Sequence, residues 1–340
     1  MRWDDIYIAG VGVYLPEQEQ TAEQAVAAGL YDAAAAETNG IRAVRVAGDD
    51  EPGAVMAARA GQRALEHSGL DPADVDLVLH AYVAHQGRDM WSPASFVQAE
   101  TGCTSASGAI EVRQGSNSAF AAMELAAGYL AARPSAKAAL ITSGDAFRLP
   151  YIDRWKSDDQ TVFGDGASAA VLSKGGGFAK LIATSSVTEP SLEPLYRGSE
   201  PWTKAPFEDG KPVNLTARKD DWLMRHEDAY DDAIKLVGDR FSQALNQALA
   251  EADMTIKDAD WVVHATLIKP LAEWGFHKLL DLDVAKTTYE WGLDYGHMGT
   301  CDQFAGLDHL VRSGRPKPGD RLVTWAAGIG FMWTVAVLEF

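Results

Sequence analysis

The chain has little cysteine: two residues in 340, Cys103 and Cys301. Two thiols cannot build a disulfide framework, so the fold must be held by its apolar core. Long hydrophobic runs are also missing, and no stretch approaches the roughly 20 residues that cross a bilayer. The opening residues pass straight into a strand-like run, Ile6 to Tyr14, without the charged and apolar regions of an export signal. A cytoplasmic protein with no membrane contact is expected. Positive charge is short as well, with 30 Lys and Arg against 48 Asp and Glu and a net charge of −18. That balance opposes a polyphosphate backbone and argues against nucleic acid as a partner. It would also repel an acidic carrier protein unless Arg42, Arg45, Lys204, Lys211, Arg218 and Lys219 form a local patch, the alternative being scattered solubilising charge. No His, Cys and acidic residues stand at metal-ligand spacing, so no metal is expected. Gly10-Val11-Gly12 lacks the third glycine of a dinucleotide fingerprint.

What is present points to a duplicated α/β protein. The chain is 47% hydrophobic and 23% charged, the balance of a folded domain. Residues 64–81 (ALEHSGLDPADVDLVLHA) and 248–265 (ALAEADMTIKDADWVVHA) align without gaps at an offset of 184, with identical Ala, Leu, Asp, Asp, Val, His and Ala. The same offset lays the turn Gly115-Ser116-Asn117-Ser118 over Gly299-Thr300-Cys301-Asp302, and chemistry is expected at these two turns. Apolar periodicity predicts a helix over 54–68, a strand over 75–81, a strand over 109–112 and a helix from about 116 to 132. Further strands are expected at 138–142, 168–172, 261–264, 321–325 and 332–339. Continuous apolar strands between helices imply a sheet covered on both faces. Three segments follow: an N-terminal half, 1–183; an inserted region, 184–225, with five prolines; and a C-terminal half, 226–340. A loop of that length acts as a lid or substrate wall, or is pinned down by Trp202, Phe207 and Trp222.

Several ordered motifs resemble the ketoacyl synthase III group of the thiolase fold. Phe163-Gly164-Asp165-Gly166-Ala167 resembles its FGDGA turn, Gly40-Ile41-Arg42 its GIR segment, and Gly328-Ile329-Gly330-Phe331 its C-terminal glycine turn. The resemblance covers essentially the whole chain and implies a duplicated five-layered αβαβα fold and a homodimer. Asp165 and its glycines read as a structural turn. The family places a cysteine nucleophile five residues beyond an acidic residue, and here Glu111-Val112-Arg113-Gln114-Gly115-Ser116 puts serine in that position. A serine hydroxyl needs an adjacent base. His264 falls where the family carries the histidine of its HQAN segment, and His297 where it carries an asparagine. His297 with Asp302 five residues on, in a GHxGxxD arrangement, resembles the divergent acyltransferase branch of secondary metabolism.

The resemblance implies an acyl-enzyme on Ser116, with His297 as base, Asp302 as its orienter, His264 nearby, and the N–H groups of Ser116 and Gly330 as oxyanion hole. No cofactor is bound permanently. The acyl donor is a phosphopantetheine or coenzyme A thioester, brought by an acyl carrier protein or as acyl-CoA, and the acceptor is a small-molecule hydroxyl or another carrier in polyketide or antibiotic biosynthesis. Arg42, Arg154 and Trp155 correspond by position to residues that hold the nucleotide end of coenzyme A. Other readings stay open. The runner-up is a starter-unit condensing enzyme, and a third class is a non-catalytic family member, against which the retention of two histidines argues. His80 and His264, at equivalent strand ends, can both be structural. Ser116 can be only a helix cap. Cys301 is an outside candidate nucleophile, while Cys103 reads as packing.

Overall fold

The strands are apolar on both sides because helices cover both faces of the sheet they build. The computed structural model describes residues 1–226 and 230–340, so residues 227–229 of the C-terminal segment lie outside the described residues. Its strands are β1 (Tyr7–Tyr14), β2 (Glu19–Thr21), β3 (Ala43–Arg45), β4 (Val75–Ala81), β5 (Gly108–Val112), β6 (Ala138–Asp145), β7 (Gly166–Ser173), β8 (Ala179–Thr188), β9 (Trp261–Val263), β10 (Arg321–Gly328) and β11 (Met332–Glu339). The helices that matter here are α1 (Gly53–Ser68), α2 (Ser118–Ala132), α3 (Leu215–Arg225), α4 (Tyr230–Glu251) and α5 (Asp302–Arg312). Nine strands join in the order β5-β4-β6-β7-β1-β8-β11-β10-β9, and β2 pairs with β3 apart from them.

The duplication is visible in this order. In the first half β4 runs parallel to β6, which is antiparallel to β7, which is antiparallel to β1. The second half repeats the scheme with β9, β10, β11 and β8. The half-sheets meet where β1 pairs with β8, at Tyr7↔Lys180 and Ile8↔Ala179. Five layers result. Helix α1 covers the outer face of the first half-sheet and α4 that of the second, while α2 and α5 touch strands of both and fill the middle. Phe120 of α2 and Phe304 of α5 face each other with ring centroids 5.6 Å apart at the centre. Each is buried, which contributes about 2–3 kcal/mol per ring before the entropy of ordering is counted. Alternation decides the layers: on β11 Ala336 and Leu338 join the central cluster, whereas Trp333, Val335 and Val337 pack under α4.

Two expected boundaries move. Residues 184–188 belong to β8, where they pair with β11, so the excursion begins after Thr188. Within it Trp222 is buried and Phe207 meets Tyr151 edge-on at 5.3 Å, as pinning residues would, but Trp202 is 86% exposed and holds nothing down. Helix α2 begins at Ser118 with Asn117 as its cap, which leaves Ser116 in the turn before it, outside the helix.

Candidate active site

Ser116 is presented by a turn that the backbone braces. Gly115, with φ of +55°, reverses the chain after β5. The Asn117 N–H then donates to the Gln114 carbonyl at 3.2 Å and the Ser118 N–H to that of Gly115 at 3.1 Å. Ser118 Oγ donates to the Gly115 carbonyl and accepts the Gln114 N–H at 2.7 Å. The β10–β11 hairpin lies directly on this turn. A Cβ at Gly328 would fall 1.9 Å from the Gln114 carbonyl oxygen, so only glycine permits the approach. Gly330, in the same hairpin, packs beside the Gln114 side chain, and its N–H has no protein acceptor among the described residues.

The second-half turn supplies the partners. The FGDGA segment grips His297 by its backbone: His297 N–H donates to the Val162 carbonyl at 2.8 Å, and Gly164 N–H to that of His297 at 3.0 Å. Its Nε2 stands 2.8 Å from Ser116 Oγ. Its Nδ1 stands 2.8 Å from Asp302 Oδ2. Asp302 is the first residue of α5, where the helix terminus favours negative charge. Its carboxylate also accepts the N–H groups of Thr266 at 2.8 Å and Met298 at 2.7 Å. Because a carboxylate only accepts, the imidazole proton sits on Nδ1, and the Nε2 lone pair faces the serine hydroxyl. Burial works against the imidazolium, but the charge and hydrogen bond of Asp302 outweigh it and hold His297 above its ordinary pKa. His297 and Asp302 are buried while Ser116 is half-buried, the accessible member of the three. At the offset of 184, Asp302 is the counterpart of Ser118, so the two duplicated turns meet with different chemistry in each.

His264 is placed elsewhere. Its Nδ1 donates to the Ala265 carbonyl at 2.9 Å, which leaves Nε2 to accept from His277 Nε2 at 3.1 Å. The ring stacks on Trp325, 5.5 Å between centroids. Burial takes its pKa down to about 4, so it is neutral, and it makes no hydrogen bond to Ser116, His297 or Asp302. Its polar contacts are therefore with Ala265 and His277, and the expected role beside the serine does not rest on a direct hydrogen bond. His80, its counterpart, is likewise internal, 3.1 Å from Thr142 Oγ1 and 3.2 Å from Gln86 Oε1.

Of the expected nucleotide-binding set, Arg154 and Trp155 are turned inward. Arg154 pairs with the buried Asp165 at 2.8 Å, and Trp155 is buried with its indole N–H on Gln20 at 2.7 Å. Arg42 is exposed but held by Asp294 at 2.6 Å and Glu290 at 3.2 Å. Cys301 is buried with its thiol directed at the Gly166 carbonyl, and burial raises its pKa far above the usual thiol range, so it is no nucleophile. Cys103 is buried packing. One buried carboxylate carried no sequence signal. Asp145, at the end of β6, accepts N–H groups from Val83 and Ala84 at 2.7 Å and from Thr300 at 3.2 Å, strapping the two halves together. Burial pushes it up to about 6. Among the described residues no cluster of three or more His, Cys, Asp or Glu could hold a metal, and no helix is long and apolar enough to cross a membrane.

Known proteins share this arrangement of sequence and fold. Residues 110–190 match the 3-oxoacyl-[acyl-carrier-protein] synthase III family, and residues 249–340 match the C-terminal domain of the same family. Among curated relatives, the β-ketoacyl-[acyl-carrier-protein] synthase III of Rhizorhabdus wittichii is 28% identical over 347 residues, covering 98% of each chain. That of Methylococcus capsulatus is 27% identical with the same coverage. Among solved structures, ChlB3, an acyltransferase, is 34% identical with a TM-score of 0.92, covering 99% of this chain and 98% of its own. The 3-oxoacyl-[acyl-carrier-protein] synthase III of Aquifex aeolicus shares the fold at 21% identity and a TM-score of 0.79, covering 98% of this chain and 100% of its own.

Proposed function

The chain belongs to the 3-oxoacyl-[acyl-carrier-protein] synthase III family with its thiolase fold, and from that premise we propose that it is an acyltransferase working through an acyl-serine. The observation that carries this reading is the continuous line Ser116 Oγ, His297 Nε2, His297 Nδ1, Asp302 Oδ2, with 2.8 Å at each contact. The donor is a thioester of phosphopantetheine on a carrier protein or of coenzyme A. As its carbonyl carbon arrives, Ser116 Oγ attacks and its proton passes to His297 Nε2. The carbonyl oxygen becomes an oxyanion facing the N–H groups of Ser116 and Gly330, each such donor being worth about 3–4 kcal/mol in the transition state. Collapse expels the thiol, which takes the proton from His297. An acceptor hydroxyl then gives its proton to the same nitrogen and attacks the acyl-serine; collapse breaks the bond to Ser116 Oγ, which takes the proton back from His297, and the ester leaves. The Asp302 carboxylate stabilises the transient imidazolium by its hydrogen bond to Nδ1.

ChlB3, itself an acyltransferase, supports transfer over condensation. So does the replacement of the condensing branch's asparagine by His297, with His264 hydrogen-bonded to His277. Esterification of a hydroxyl in polyketide or antibiotic assembly suits this chemistry, with a homodimer as the working form. The test is intact-protein mass spectrometry of wild type, Ser116→Ala and Ser116→Cys after mixing with acyl-pantetheine and acyl-carrier thioesters. An acyl increment in wild type that vanishes in Ser116→Ala is the expected result. Release of CO2 from a malonyl donor would instead favour condensation, and no increment in wild type would remove the acyl-serine altogether.

A further inference from the structure

Within the central layer, one chain of polar side chains runs from beside the nucleophile across to β11, β8 and α2. Asn117 and Thr334 have no exposed surface. Asn117 Nδ2 lies 3.0 Å from Thr334 Oγ1, Thr334 Oγ1 2.9 Å from Ser186 Oγ, and Ser186 Oγ 2.7 Å from Glu124 Oε2. Thr334 and Ser186 are direct cross-strand partners on β11 and β8, facing α2. The proton order is forced. A carboxylate accepts, so Ser186 donates to Glu124; Ser186 must then accept from Thr334, and Thr334 from the Asn117 amide. Asn117 is therefore fixed by its N–H2, and its buried Oδ1 is left without a partner. Leaving a buried carbonyl oxygen unpaired lowers stability, and an apolar residue here would avoid it.

We propose that this chain is a clamp setting the spacing of the two oxyanion donors, with Asn117, Thr334 and Ser186 as positioning residues. The proposal rests on the acyl-serine reading above. Asn117 follows Ser116 directly, and Thr334 lies four residues beyond Gly330 in the hairpin that packs on the serine's turn. The Asn117–Thr334 bond thus ties the element carrying one donor to the element carrying the other, and Ser186 and Glu124 fix which way Thr334 points. Apolar packing alone would leave the hairpin free to slide by a fraction of an ångström along the turn, and a donor misplaced by about 1 Å can cost 10²-fold in rate.

The experiment compares Thr334→Val, which keeps shape and loses the hydroxyl, with Thr334→Ser, which restores it. Single-turnover acylation should fall about 10-fold in Thr334→Val with the donor KM and the midpoint of the pH–rate profile unchanged, because His297 is untouched, and Thr334→Ser should return to within about twofold of wild type. Amide hydrogen exchange over residues 114–118 and 328–332 should quicken in Thr334→Val and revert in Thr334→Ser. That readout needs no substrate: exchange unchanged in Thr334→Val overturns the clamp whether or not the protein acylates, whereas quickened exchange in a protein that never acylates removes the functional reading alone. If Thr334→Val does not fold, Ser186→Ala frees the Thr334 hydroxyl with less damage, and unaltered exchange in that variant overturns the clamp in the same way.

Discussion

Ser116 depends on where one proton sits. Its hydroxyl is a weak nucleophile, and the 2.8 Å contact with His297 Nε2 helps only while that nitrogen is unprotonated. Asp302 both fixes the tautomer and holds the His297 pKa above its ordinary value. The sign follows: the imidazolium–carboxylate pair adds stability below about pH 6.5 that is lost as pH rises through the folded-state pKa, and the neutral form that can act as base predominates only above that pKa. Acylation should accordingly rise with pH to a plateau, with its midpoint above about 6.5 in wild type. In Asp302→Asn the largest opposing charge is gone, burial prevails over the weaker pull of Asp158 and Asp145, and the midpoint should move below that value while kcat/KM falls about 10³–10⁴-fold. A pH–rate profile of the two proteins checks both, and an Asp302→Asn midpoint at or above wild type would sink the account. The GHxGxxD spacing makes this pair legible in the sequence. The place of His264 is not legible there, because a motif position fixes a backbone site but not a rotamer, and nothing marks His277, 13 residues on, as its partner.

At the level of elements, the decisive contact is backbone on backbone. A Cβ at residue 328 would stand 1.9 Å from the Gln114 carbonyl and 3.0 Å from the Asn117 nitrogen, and no side-chain rotamer can relieve either clash. Gly328→Ala should push the hairpin off the serine's turn, destabilise the protein by about 2–3 kcal/mol and slow acylation at least about 10²-fold. Gly128→Ala on α2 is the contrasting case, because nothing lies within 4 Å of its added Cβ. It should stabilise by about 0.5–1 kcal/mol with acylation intact. Chemical denaturation and single-turnover mass measurements on both variants test the contrast; equal acylation rates in the two would mean the hairpin approach is immaterial. The strands are readable because each is an apolar run between turn residues, and β4 and β11 fall on their expected bounds. The start of α2 is not, since Asn117 takes the cap position and leaves Ser116 in the turn, later than periodicity alone suggests. Residues 184–188 read as part of the excursion because the pairing with β11 that makes them strand lies nearly 150 residues away, beyond any local signal.

The whole molecule combines a legible plan with an illegible surface. The repeat at an offset of 184 already implies two halves, and the pairing of β4, β6, β7 and β1 is reproduced by β9, β10, β11 and β8. What no repeat reports is which charges end beside which. Of the six cations that could have formed a patch, Arg42 is held by Asp294, Arg45 by Glu19 at 3.3 Å, Arg218 by Glu200 at 3.0 Å and Lys219 by Asp159 at 2.5 Å. Of these six, Lys204 and Lys211 alone have no carboxylate within reach of their ammonium groups among the described residues, on a chain of net charge −18. An acidic carrier protein would meet net repulsion, so its encounter should be limited by like charge, not steered by opposite charge. Raising ionic strength from about 0.05 to 0.5 M shrinks the Debye length from roughly 14 to 4 Å and screens that repulsion. The expected outcome is that kcat/KM with an acyl carrier donor rises severalfold across this range, whereas that for a neutral acyl-pantetheine stays nearly flat. Both are read from initial rates at fixed pH. A steep fall with the carrier alone would place a cationic docking surface on the protein that its ion pairs do not reveal, because screening can only weaken an attraction and relieve a repulsion.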